Sequence, residues 1–236
     1  MSPKNKLIVA IDLDTSKRAA TMARKLKQEV GCFKIGLELF TSCGPEIVKK
    51  IKSFGCGIFL DLKFHDIPNT VARAARAATK LGVYMFNVHA LGGYAMMKAA
   101  SEAAADEAKK LGITKPKVLA VTILTSMDQK ALKNVGVNGN IKNQVLKLAR
   151  LAKSAGLDGV VASPQEAAAI RRALGKNFLI VTPGVRPASA EIHDQKRIAT
   201  PKAAIRSGAS FIVVGRPVTE SVDPAAAARA IAKEIR

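Results

Sequence analysis

Eight short runs of apolar and β-branched residues punctuate this chain, separated by longer stretches rich in Ala, Lys and Leu. The runs cover residues 6–12, 32–36, 57–63, 84–90, 117–124, 159–163, 178–184 and 211–216. The stretches at 16–30, 70–81, 94–111, 141–155 and 164–174 repeat their apolar residues at helical spacing. Strands that alternate with helices of this length join as parallel neighbours through right-handed crossovers. Local signals agree. Ser163 precedes Pro164, the order of a helix cap and a first-turn proline, and Gly82, Gly112 and Gly156 follow helical runs.

A doubly wound open sheet also satisfies this alternation. The count of eight favours closure instead, and so does the position of the polar residues. Asp12, Lys34, Asp61, Lys63, His89, Thr125, Ser163, Gly184 and Arg216 all fall at or just past the C-terminal ends of their runs. In a closed barrel those ends share one rim, where such folds carry their active sites. The expected fold is α/β, a (β/α)8 TIM barrel forming a single domain over residues 1–236.

A length of 236 residues suits such a unit, and 48% hydrophobic content supplies its core. Lys and Arg number 38 against 18 Asp and Glu, a net charge of +20. That excess attracts anions over long range and says nothing about fold. It is spread over singles and pairs such as Lys49-Lys50 and Arg171-Arg172, with no basic tract and few aromatics. Solvated helix faces account for it better than a nucleic-acid surface does. Cys32, Cys43 and Cys56 match no zinc spacing and read as reduced thiols. The first apolar run, Leu7-Ile-Val-Ala-Ile11, is stopped by Asp12, too soon for a signal core, and no segment approaches a membrane span. The expectation is a cytoplasmic protein with neither a membrane nor a nucleic-acid partner.

The third run ends in Asp61-Leu-Lys-Phe-His-Asp66, followed by Ile67-Pro-Asn-Thr70. Strand alternation puts Asp61 and Lys63 on one face with Phe59, and Leu60, Leu62 and Phe64 on the other. Ionised groups on so apolar a strand are costly unless paired or used. Asp61, Lys63 and Asp66, with Lys34 from the neighbouring strand, are expected to alternate in charge. Such flanking favours the ammonium form of Lys63 and suits it to proton donation. Asp66 lies beyond the strand, with reach toward another chain. A buried ion-pair network that merely orders the barrel mouth is the bland alternative.

A second cluster joins Thr182-Pro-Gly-Val-Arg186, Gln195 and Val214-Gly-Arg216, at the ends of runs seven and eight. Barrels often hold a phosphate there, with glycines admitting backbone N–H groups and guanidinium forks pairing with the oxygens. Residues 187–195 read as a mobile loop able to close over that anion, and 127–140 as either a second mobile segment or an ordinary connector. His89 either lines the pocket or is a hydrogen-bonded structural residue. His65 is expected to pack outside the site and His193 to be exposed. No metal constellation, GxGxxG or P-loop is present in the sequence.

The decapeptide Asp61-Leu-Lys-Phe-His-Asp-Ile-Pro-Asn-Thr70 closely resembles the signature of the orotidine 5′-phosphate decarboxylase family, bacterial branch. Ala10-Ile-Asp12, Phe33-Lys34-Ile-Gly36, Asn87-Val-His-Ala90, Leu124-Thr-Ser126, Thr182 to Arg186, Gln195 and Gly215-Arg216-Pro217 follow in the family's order. The resemblance runs from about residue 7 to residue 224. It implies cofactor-free, metal-free conversion of orotidine 5′-monophosphate to uridine 5′-monophosphate, the last step of de novo UMP synthesis. By that resemblance Lys63 stabilises and protonates the C6 carbanion. Asp61 sits beside the departing carboxylate, either destabilising it or holding Lys63. Lys34 and Asp12 engage the ribose and hold the charge chain, Thr125 and Ser126 contact the pyrimidine, and Gln195 bridges base and phosphate. Arg186, Gly215 and Arg216 serve the phosphate, and Pro183 is among the substrate-binding residues. Asp66, Ile67 and Thr70 enter the site of a partner subunit, which implies a homodimer with shared sites. A metal-dependent phosphosugar decarboxylase built on the same Asp-x-Lys-x-x-Asp core is the nearest rival, and a nucleic-acid-binding barrel a distant one.

Overall fold

The structure is a computed structural model that describes residues 2–187 and 199–235, and in it the eight runs are strands that close on one another. They are β1 (Leu7–Ala10), β2 (Cys32–Ile35), β3 (Gly57–Phe64), β4 (Met85–His89), β5 (Lys117–Val121), β6 (Gly159–Val161), β7 (Leu179–Thr182) and β8 (Phe211–Val214). Neighbours follow sequence order and every pair is parallel. Closure comes from β1 against β8, with Leu7 opposite Ile212 and Val9 opposite Val214. An open sheet is thereby excluded.

Alternation along each strand separates two cores. Ile8, Cys32, Phe59, Met85, Leu119 and Phe211 point inward and fill the barrel with a plug of their own. Val9, Phe33, Ile58, Phe86, Val118 and Ile212 point outward into the larger layer between sheet and helices. Cys32 belongs to the inner plug, where burial pushes its thiol far up and keeps it neutral. The three cysteines are all free.

The helices follow the sequence closely where capping chemistry is explicit. The helix Pro164–Leu174 begins where Ser163 Oγ accepts from Gln165 N–H at 3.3 Å. The helix Gly93–Leu111 ends on Gly112, whose φ of 64° is the left-handed stop that glycine allows. The helix expected over 16–30 ends at Leu26 instead, because Glu29 N–H closes a tight turn onto Leu26 O and Val30 is buried as the chain enters β2. After β2 the chain forms two short helices, Leu37–Cys43 and Glu46–Lys52, divided by Gly44 and Pro45. Residues 127–140 are stapled by Gln129, which donates to Gly139 O at 2.5 Å and accepts from Ile141 N–H at 3.0 Å. That segment carries the helix Gln129–Asn134, capped by Asp128.

The main irregularity is in β3. Leu60 faces Phe86 and Phe64 faces Val88, so the three residues Asp61 to Lys63 oppose Asn87 alone. Two extra residues preserve the side-chain parity, and Leu62 and Phe64 still pack into the outer layer. Lys63 absorbs the bend. Its φ of 51° makes it the sole non-glycine residue with positive φ among the described residues. Left-handed backbone costs a side-chain-bearing residue about 1–3 kcal/mol and collects at functional positions.

Candidate active site

Consecutive strands deliver the charges to one rim. Asp12 follows β1, Lys34 lies on β2, and Asp61 and Lys63 lie on β3. Lys34 Nζ stands 2.9 Å from Asp12 Oδ1 and 3.5 Å from Asp61 Oδ2. Lys63 Nζ stands 2.8 Å from Asp61 Oδ1. The result is a row of alternating sign, Asp12, Lys34, Asp61, Lys63. Gly36 makes room for its first pair, since a Cβ there would sit 2.8 Å from Lys34 Nζ and 2.9 Å from Asp12 Oδ1.

Within the chain the fourth member of the row is Asp12, which the resemblance places in the charge chain, and not Asp66, which the alternation of charge in the decapeptide suggested. Asp66 lies past the end of β3, and its Oδ1 accepts from Ile67 N–H at 2.6 Å. Asp66, Ile67 and Thr70 are exposed, and Asp66 pairs with no cation among the described residues. Strand geometry explains this. The bulge ends in a turn, and Pro68 then opens the helix Pro68–Lys80.

Burial by itself would raise the Asp61 carboxyl. The Lys34 and Lys63 ammoniums, with hydrogen bonds from Lys63 and Asn87, outweigh that effect and hold it below its ordinary value. Asp61 is therefore a carboxylate at neutral pH. Asn87 Nδ2 donates to Asp61 Oδ1 at 2.7 Å, and Asn87 Oδ1 accepts from the Lys63 backbone N–H at 2.8 Å. Sequence reasoning gave Asn87 no role. The available signal was an amide on the inward face of β4, two residues before the strand end.

His65 and His89 stack at the edge of this rim, with ring centroids 5.2 Å apart and planes within 10°. His89 Nδ1 accepts from Leu91 N–H at 3.3 Å, a structural cap. Burial, then His65 and Lys63 nearby, lower the His89 pKa and keep its ring neutral. Of the two roles left open for His89, the structure provides the hydrogen-bonded one. His65 is exposed.

Two cavities open at the rim. The smaller, about 260 Å³, is lined by Asp61, Lys63 and Thr125 over the floor formed by Phe59. The larger, about 630 Å³, is lined by Gly184, Arg186, Gly215 and Arg216. Asp12, Lys34, Pro183 and Val213 border both, so the two are lobes of one cleft. In the large lobe Gly184 adopts φ 73°, and Arg186 is buried with its N–H donating to Ala199 O at 3.0 Å. Ser126 is exposed and borders neither lobe, whereas Thr125 borders the small one. Gln195, His193 and the rest of residues 188–198, on which the expected mobile loop falls, lie outside the described residues. No group of three or more His, Cys, Asp or Glu side chains is disposed to hold a metal ion among the described residues.

A closed parallel barrel with paired charges in one lobe and guanidiniums in the adjoining one is the arrangement of a (β/α)8-barrel enzyme with its site at the C-terminal rim. The model for the orotidine 5′-phosphate decarboxylase / HUMPS family matches residues 5–231. The chain belongs to that family. Orotidine 5′-phosphate decarboxylase of Moorella thermoacetica is 53% identical over 236 residues, covering 100% of this chain and 94% of that one. The enzyme of the same name from Nitrosococcus oceani is 51% identical over 98% of each chain. Among solved structures, orotidine 5′-phosphate decarboxylase from Lactobacillus acidophilus superposes with a TM-score of 0.87 at 43% identity, covering 98% of this chain and 99% of that one. The corresponding protein from Pyrococcus horikoshii OT3 gives 0.78 at 26% identity, covering 98% and 99%.

Proposed function

We propose that this chain converts orotidine 5′-monophosphate to uridine 5′-monophosphate and CO2 in pyrimidine biosynthesis, without a cofactor. The observation that carries the reading is the row Asp12–Lys34–Asp61–Lys63 opening into a cleft whose other lobe holds Arg186 and Arg216. Full-length similarity to proteins named for this activity supports the choice of substrate.

The chemistry follows from the charges. The bond between C6 and the carboxyl carbon breaks, and its electron pair stays on C6. Lys63, 32% exposed at the cleft and held by Asp61, places an ammonium where that charge develops and then transfers a proton to C6. Solvent reprotonates the amine. The Asp61 carboxylate beside the departing carboxylate adds like-charge repulsion that ends as CO2 leaves. Asp12 and Lys34 bind the ribose, Thr125 the pyrimidine with Ser126 reaching in from the exposed edge, and Arg186, Gly215 and Arg216 the phosphate, with Pro183 against the substrate and Gln195 between base and phosphate. Binding energy gained at the phosphate is thereby available at the reacting carbon.

Asp66, Ile67 and Thr70 complete the site of a second subunit in a homodimer. Their exposure beside the rim, Ile67 at 67%, supports that assignment. No helix among the described residues is long and apolar enough to cross a membrane, and the enzyme acts in the cytoplasm. The test is loss of orotidylate absorbance with purified protein in the presence of a chelator, wild type against Lys63→Ala. Turnover by wild type alone supports the reading. A strict requirement for added magnesium would favour the metal-dependent members of the superfamily.

A further inference from the structure

Where β3 bulges, the ladder to β4 lacks the regular partners that parallel strands exchange. One side chain stands in for them. Asn87 is fully buried, and it lies opposite all three bulged residues. Its carbonyl oxygen accepts the Lys63 backbone N–H at 2.8 Å, and its amide nitrogen donates to Asp61 Oδ1 at 2.7 Å. That same Oδ1 receives Lys63 Nζ at 2.8 Å. A closed ring results: Lys63 backbone, Asn87 amide, Asp61 carboxylate, Lys63 ammonium.

Each bond in the ring has a distinct effect. The first holds Lys63 in its left-handed backbone, φ 51°, from which the side chain turns back toward Asp61. The second fixes the rotation of the Asp61 carboxylate, so that Oδ1 faces Lys63 and Oδ2 is left for Lys34. An amide is the side chain of this size that can do both, because it carries an acceptor and a donor on one short planar group. Asp offers no donor when ionised, and Leu has the same branching with neither.

We infer that Asn87 is a positioning residue for the reaction, setting the place of the Lys63 ammonium and the Asp61 carboxylate without touching substrate. This rests on the proposed decarboxylation through Lys63. Asn87 borders neither lobe of the cleft and makes no hydrogen bond to Asp12, Arg186 or Arg216. Its loss should therefore leave ground-state binding intact and act on the chemical step.

The experiment measures kcat, KM and UMP affinity for Asn87→Leu and Asn87→Asp beside wild type and Lys63→Ala, with thermal midpoints for each. Asn87→Leu keeps the branched shape and removes both hydrogen bonds. It should lower kcat about 100-fold, the effect of misplacing a reacting group by roughly 1 Å, while KM and UMP affinity stay within about threefold. Asn87→Asp keeps the acceptor for Lys63 N–H but turns the donor into a carboxylate facing Asp61, which Lys34 and Lys63 also flank. The acid limb of its pH–kcat profile should move to higher pH, because Asp61 then takes up a proton more readily. A purely structural amide would lower the thermal midpoint and leave kcat at the pH optimum unchanged. The inference is overturned by an unchanged kcat in Asn87→Leu, or by a loss confined to KM. Should Asn87→Leu fail to fold, an unchanged kcat at the pH optimum in Asn87→Asp overturns it equally. Wild type active, Lys63→Ala inactive and Asn87→Leu fully active would remove this inference alone. Wild type inactive on orotidylate would overturn the functional reading as well.

Discussion

Lys34 and Asp61 meet diagonally across the β2–β3 ladder, with Nζ 3.5 Å from Oδ2. The register pairs Lys34 with Phe59, so Asp61 sits two residues further toward the rim on the same inward face. A straight ammonium stem can therefore reach Asp12 and Asp61 together. That diagonal lets three separate strand ends act as one electrostatic unit.

Asp61 should make folding stability sensitive to acid. Its carboxyl lies below its ordinary value in the folded protein. A depressed carboxyl contributes stability that is fully present above the unfolded value of about 4 and is lost as pH falls through the folded value. Urea midpoints measured from pH 6 to pH 3 should fall more steeply for wild type than for Asp61→Asn. Parallel curves for the two proteins would contradict this.

Gly36→Ala should injure binding while sparing the fold. The added Cβ meets only the tips of two flexible side chains, Lys34 Nζ at 2.8 Å and Asp12 Oδ1 at 2.9 Å. These give way by separating, which spoils the first pair of the row. KM for orotidylate should rise roughly tenfold, equivalent to about 1.4 kcal/mol, with a thermal midpoint close to wild type. An unchanged KM would show that the pair tolerates the methyl group.

Shared sites can be tested by subunit mixing. Lys63→Ala and Asp66→Ala proteins should each be nearly inactive, and mixed dimers should recover about a quarter of wild-type activity, because random exchange gives half heterodimers with one intact site of two. Absence of recovery, once subunit exchange is demonstrated by mass labelling, would return Asp66 to its own chain.

Far from the rim, Arg171 should matter for stability alone. Its guanidinium donates to Gly175 O at 2.8 Å, Lys176 O at 2.9 Å, Phe178 O at 2.7 Å, Gly208 O at 2.7 Å and Ser210 Oγ at 3.0 Å. Arg171→Ala strands these acceptors and should cost about 3 kcal/mol in chemical denaturation. Arg171→Lys should recover little, because a point ammonium cannot serve so many directions. The kcat per folded molecule should not change. A stability within about 0.5 kcal/mol of wild type would mean that solvent replaces the fork.

The barrel was legible because each strand is an apolar run and each rim residue is the polar one that ends it. Asp61 and Lys63 were legible for the same reason, as charges on an inward face. The bulge between them was not, since a ladder defect depends on the partner strand and leaves no mark on period-two alternation when it adds two residues. Its consequences were hidden with it, namely the left-handed Lys63 and the bridging Asn87. Asp12 as the end of the row was legible only through the family resemblance, because it is the β1–β2 pairing that brings it beside Lys34. The helices Leu37–Cys43 and Glu46–Lys52 escaped notice because Gly44 and Pro45 cut one apolar period into pieces too short to register.

The seam between β1 and β8 has a consequence for the protein during synthesis. Asp12 and Gly215 line the same lobe although about two hundred residues of chain separate them. A growing chain can pair β1 to β4 and assemble its row of charges early, but the wall common to both lobes exists only after the last strand has emerged and docked. A chain cut short before Phe211 would carry the reactive groups without a vessel to hold the substrate against them.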